Sequence, residues 1–168
     1  MAAKITAIAD KDLGHVFGAV LQTGVDAALP VAAVVADAGL TVRSGGDPCL
    51  DVPPEELKTY LVGDEGVLQQ PVAYIVVNDS PVHKFTTLSI GALDSASGIN
   101  FTPVTPAAVK GKAFLRRHGG SGTDVAAPVP LAAGAGVLPC TLTAGATYDV
   151  VLLVEGYPPA VATNKTAT

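Results

Sequence analysis

Apolar residues in this chain come in short runs, and nearly every run ends at a glycine, a proline or a polar cluster. Residues 4–9, 16–21, 31–35 and 40–43 form a first set, with Gly14, Gly24, Pro30 and Gly39 between them. Glycine and proline punctuate local structure, so each run predicts one short element. The run at 31–38 is also compatible with one or two turns of helix, because so short a segment has no decisive period. From residue 72 the strand pattern strengthens. Residues 72–77 (VAYIVV) lead into the turn cluster NDSP at 78–81, and within 83–93 Phe85, Thr87 and Ser89 alternate with Thr86, Leu88 and Ile90. Further strands are predicted at 99–104, 110–117, 137–143 and 147–155.

One stretch reads differently. Asp51 stands as a candidate N-cap, Pro53 and Pro54 follow in a first turn, and Glu55 and Glu56 sit where the helix dipole favours carboxylates. This predicts a short helix near residues 53–60. Closely spaced strands without long helices predict a mainly all-β chain, an antiparallel β-sandwich or barrel with that one helix. The clearest loop, SGGDP at 44–48, divides a sandwich or barrel domain at 46–168 from an extended β-rich arm or small subdomain at 1–45. A single domain over 1–168 is the alternative.

Composition supports this and limits the chemistry. Of the 168 residues only 15% are charged and 5% aromatic, none is Trp, and the mean hydropathy is +0.44. No apolar run approaches the ~20 residues that cross a bilayer, and the opening MAAKITAIAD has no apolar stretch of signal-peptide length. Cys49 and Cys140 lie in no Cys-x-x-Cys; either they are buried reduced thiols or a disulfide joins the two halves. The net charge of −5 is uneven: residues 1–65 hold ten acids against four bases, and residues 66–168 five against six. A dominant basic surface for nucleic acid is therefore not expected. An acidic half could instead register against a basic one in a partner.

Four of the ten basic residues, Lys110, Lys112, Arg116 and Arg117, cluster on one strand and its tip. Alternation puts Lys110, Lys112 and Phe114 on one face and Ala113 and Leu115 on the other. That basic face is either solvated or set against an acidic partner. The tip at 116–124, RRHGGSGTD, carries His118 and could bring backbone N–H groups to an anion. It lacks the Gly-x-x-x-x-Gly-Lys-Ser/Thr and Gly-x-Ser-x-Gly patterns, so it reads as a hairpin tip or a docking loop. His15, His83 and His118 show no metal spacing, and no catalytic, cofactor or metal residues are assigned.

Residues 142–148 (LTAGATY), running into DVVLLV, resemble the corner before the penultimate strand of immunoglobulin- and fibronectin-type sandwiches, where a Tyr hydrogen-bonds across the turn. In composition, size and turn-rich strands the chain resembles phage virion structural proteins of the capsid decoration (cement) or head-fibre-base type. That resemblance implies a non-enzymatic role in the virion and synthesis in the host cytoplasm. It further implies a homo-oligomer such as a trimer, with the major capsid protein or other virion proteins as partners and neither nucleic acid nor membrane. Contact residues would come from the arm (Lys4, Val16, Phe17) and the basic strand and loop (Lys110, Lys112, Arg116, Arg117, His118). The alternative is a surface adhesin or carbohydrate-binding module, which would need an exposed aromatic rim such as Tyr60, Tyr74 and Tyr157, or an acidic calcium site.

Overall fold

The computed structural model describes residues 4–24, 26–35, 37, 39–44, 47–84 and 86–168. The strands are β1 (Lys4–Asp10), β2 (Val16–Gln22), β3 (Leu40–Ser44), β4 (Asp47–Val52), β5 (Leu57–Val62), β6 (Tyr74–Val77), β7 (Ser80–His83), β8 (Ser89–Asp94), β9 (Gly98–Thr102), β10 (Val109–Arg117), β11 (Asp124–Leu131), β12 (Val137–Leu138), β13 (Thr147–Val154) and β14 (Ala160–Thr166). Two single-turn helices, α1 (Val31–Val34) and α2 (Gly66–Gln69), interrupt them. The fold is all-β, and every pairing between strands is antiparallel.

Its centre is the four-stranded sheet β11-β10-β13-β14. On β13 the residues Tyr148, Val150, Leu152 and Val154 face one way, and Val151 and Leu153 the other. A run as apolar as DVVLLV suits a strand covered on both sides. The first face packs on the sheet β12-β9-β8 through Leu93, Ile99, Phe101 and Leu138, making a β-sandwich. The second face, with Phe114 of β10, packs on Ile8, Leu50, Val52 and Leu57 of the N-terminal strands. There the sheet β2-β1-β5 forms a third layer. Its strand β1 is buried on both faces too, with Ile5, Ala7 and Ala9 directed at Val67, Tyr74 and Val76.

Several expectations are corrected. The segment expected as an arm is the middle of a sheet: β1 pairs with β2 on one edge and β5 on the other, so its backbone groups are already used. A boundary at 45/46 would cut the β3–β4 hairpin, whose partners run from Leu40↔Val52 to Ser44↔Asp47. At 53–60 the helical part is one 3₁₀ turn, Pro54–Glu56, and Asp51 does not cap it. From Leu57 the chain is strand β5 instead, because LKTYLV places Leu57 and Val62 in two cores and pairs along β1. The strand expected over 137–143 is two residues long.

Residues 142–148 do contain a corner contact: Thr143 N–H donates to the buried Tyr148 hydroxyl at 3.0 Å. Gly14 has φ +72°, and a Cβ there would overlap the Val76 carbonyl. Only glycine serves at this crossing, where Val76 N–H bonds to Gly14 O at 2.8 Å and ties β6 to the turn after β1.

Candidate functional site

The turn at 11–14 follows β1 and lies beside the 3₁₀ turn before β5. Gly14 N–H bonds to Asp10 O at 3.0 Å and closes the first turn, and Lys11 N–H bonds to Glu56 O at 2.9 Å and ties the two turns together. Into the space between them β10 sends Lys112, whose side chain is fully buried. Its ammonium lies 2.5 Å from Asp10 Oδ1, 2.6 Å from Asp12 Oδ2 and 2.7 Å from Glu56 Oε2. The Phe114 ring closes another side at 5.0 Å from Nζ. Asp10 is also fully buried, and its second oxygen accepts the N–H groups of Leu13 (2.6 Å) and Asp12 (3.0 Å). Lys11 caps the rim, 2.9 Å from Glu56 Oε1.

Burial pushes the Asp10 carboxyl up, against the pull of Lys112 and the Leu13 N–H. Burial also opposes the charge on Glu56, but hydrogen bonds from Lys112 and Lys11 outweigh it and hold that carboxyl below its usual range. Likewise, desolvation of Lys112 is overcome by its three carboxylates, and the amine is raised. The oxygens of Asp10, Asp12 and Glu56 are close enough together to ligate a metal. The ammonium stands at their focus and supplies the cation. An unpaired carboxylate in such a place would cost several kcal/mol, so the arrangement holds only as a set.

Two further ties join the layers or brace the central sheet. His15 is fully buried and shares its Nε2–H between the carbonyls of Val154 (3.1 Å) and Tyr157 (3.0 Å), which fixes its tautomer. Desolvation lowers its pKa to about 4. On β13, the buried Asp149 accepts from His118 Nδ1 (2.8 Å), Arg116 Nη2 (3.1 Å) and the Asn164 N–H (3.1 Å). Burial opposes the Asp149 charge, yet these donors together hold it below the ordinary range. A His–Asp pair orients an imidazole for proton transfer. Among the described residues, however, no hydroxyl or thiol hydrogen-bonds to His118. Cys49, close enough to feel Asp149, is fully buried with its thiol pushed up to about 11, chiefly by burial, so it is no nucleophile. Cys49 and Cys140 are both free thiols.

The described residues form several open grooves on the surface. One, about 530 Å³, runs along the outer strand β11 past Arg117, Asp124, Cys140 and Tyr148. A second, about 370 Å³, is lined mainly by apolar groups, among them Phe17, Val42, Val72 and Val161.

The residues expected to make contacts separate accordingly. Lys110, Arg117 and His118 are exposed; Lys4 pairs with Asp26 at 2.9 Å on the surface, and Phe17 is half-buried, edge-on to Phe114 with centroids 6.3 Å apart. Val16 and Lys112 correct the expectation. Both are fully buried, Val16 because it faces the core under β6 and Lys112 because the acidic partner of its strand face is the chain's own N-terminal half. Arg116 is turned inward to Asp149. Tyr74 and Tyr157 are buried and Tyr60 is half-covered beneath Lys58, so these three form no aromatic rim. The sequence pointed to Glu56 only as a first-turn carboxylate of a helix, and assigned no role to Asp10, Asp12 or Asp149. Their one advance signal was the opposite charge bias of the two halves. No protein-family model, curated protein or solved structure matches the chain.

Proposed function

We propose that this chain is a structural subunit of a larger protein assembly, a virion component of the capsid decoration, cement or head-fibre-base kind that acts through protein–protein contacts. The observation that carries the reading is where the buried polar groups point. Lys112, Asp10, His15 and Asp149 all use their hydrogen bonds to tie one layer or strand of the chain to another. Such ties resist deformation. Contact surfaces then come from what remains outside: the loop at 117–124 with Arg117 and His118, Lys110 beside it, and the apolar groove around Phe17. Binding across joints between shell subunits would stabilise the shell by mass action, and a symmetric oligomer would repeat the contact.

The test is light scattering of the purified protein combined with co-sedimentation on isolated shells. A stable oligomer, or saturable co-sedimentation that Arg117→Glu weakens, supports the reading. A monomer that binds no shell refutes it.

A further inference from the structure

Lys112 Nζ and Asp10 Oδ1 are in direct hydrogen-bond contact at 2.5 Å, and both side chains are wholly removed from solvent. A primary amine and a carboxyl held in a dry site are the two halves of an amide. We propose that Lys112 and Asp10 become joined by an intramolecular isopeptide bond between Lys112 Nζ and Asp10 Cγ, with Glu56 as the proton carrier. The bond does not depend on the assembly reading above.

The step balances without any co-reactant. One proton passes from the ammonium to Asp10 Oδ1, giving a neutral amine and a neutral acid. The nitrogen lone pair then attacks Cγ, and the π electrons move onto Oδ2. That oxygen already accepts the Leu13 N–H at 2.6 Å and the Asp12 N–H at 3.0 Å, so donors stand where the negative charge develops. Glu56 Oε2, 2.7 Å from Nζ, takes a second proton from nitrogen and delivers it to the departing Oδ1 hydroxyl. The pair on Oδ2 re-forms the Cγ=Oδ2 bond as the Cγ–Oδ1 bond breaks with its electron pair onto oxygen, water leaves, and Glu56 returns to its first state. One ammonium and one carboxylate become one amide and one water.

In bulk water the ions are the stable form. Here burial penalises both ions, a neutral amide relieves that penalty, and the fold holds the reacting groups together so that no encounter entropy opposes the step. Choice among the three carboxylates follows from the same facts. Asp10 alone is fully buried with two backbone donors on its far oxygen, whereas Asp12 is about one-third exposed and Glu56 is shared with Lys11.

The test is the intact mass of the full-length folded protein, measured after denaturation. The expected result is a mass one water below that of the sequence, allowing for loss of the initiator methionine. A tryptic digest should contain a branched peptide joining residues 5–11 to residues 111–116. Lys112→Arg and Asp10→Ala should each show their full sequence masses, and Glu56→Gln should leave a large fraction of molecules unreacted at full sequence mass. Wild-type protein at its full sequence mass overturns the proposal, whether or not the variants fold. So does a missing water without the branched peptide.

Discussion

Replacing Lys112 with Met keeps the length and apolar stem of the side chain but removes the cation that, among the described residues, pairs with Asp10, which has no access to water. Breaking a buried charge set by deleting one partner costs about 3–5 kcal/mol, and the Asp10 site belongs at that end because its solvent exposure is zero. The loss should depend on pH with a definite sign. Without its cation the folded-state pKa of Asp10 is raised further, so the variant is least impaired below the unfolded carboxylate pKa of about 3.9. As the pH rises above that value the penalty should grow, by at most about 1.4 kcal/mol per unit, until it passes the folded pKa. Adding Asp10→Asn removes the stranded charge, and the double variant should regain most of the stability with a flatter pH profile. Neither variant can form a Lys112–Asp10 amide, so their difference reports the buried charge alone. Urea unfolding followed by circular dichroism at several pH values measures it. If the single variant matches the double one at pH 7, or shows no pH dependence, the buried-charge argument fails.

Two further outcomes follow from the same physics. His15 is held neutral with its pKa at about 4, below the unfolded value near 6.5, so its contribution is intact above pH 6.5. It should be lost as the pH falls toward 4, by roughly 3 kcal/mol in all, and Asp149 and Glu56, whose pKa values are also depressed, should extend the loss to lower pH; thermal melts from pH 7 to 3 show this as a falling Tm. Tyr148→Phe removes the acceptor of the Thr143 N–H and should lower stability by about 1–3 kcal/mol, read from the denaturation midpoint.

Much of the strand pattern was legible because it is local. Residues 147–155 could be little else than a buried strand, and β1, β2 and β10 stand where short apolar runs between breakers put them. What escaped notice has physical reasons. Strand β11 holds Pro128 and Pro130, which argue against a strand except at a sheet edge, and an edge is where it lies. The prolines before β5 imitate a helix start, and only pairing with β1, about fifty residues earlier, overrides them. The faces of β10 were legible from alternation, with Lys112 and Phe114 together. That this face is dry was not, since its cover comes from Asp10 and Glu56, 102 and 56 positions away. Charge bias between halves hinted at complementarity; the complement proved to be within the chain.

The layering also sets a clock for biosynthesis. The N-terminal sheet emerges first, yet Ile8, Leu50, Val52 and Leu57 are covered by Phe114, Val151 and Leu153, which come later. With elongation at about 5–20 residues per second, the apolar face of residues 4–62 waits roughly 5–20 seconds for strand β13. During that interval the nascent chain presents an uncovered sheet face beside carboxylates that still lack Lys112. The acidic cluster then acts a second time: Asp10, Asp12 and Glu56 stand together at one end of that face, with Lys11 as partial counter-charge, and their net negative charge opposes contact between neighbouring nascent chains until Lys112 arrives among them.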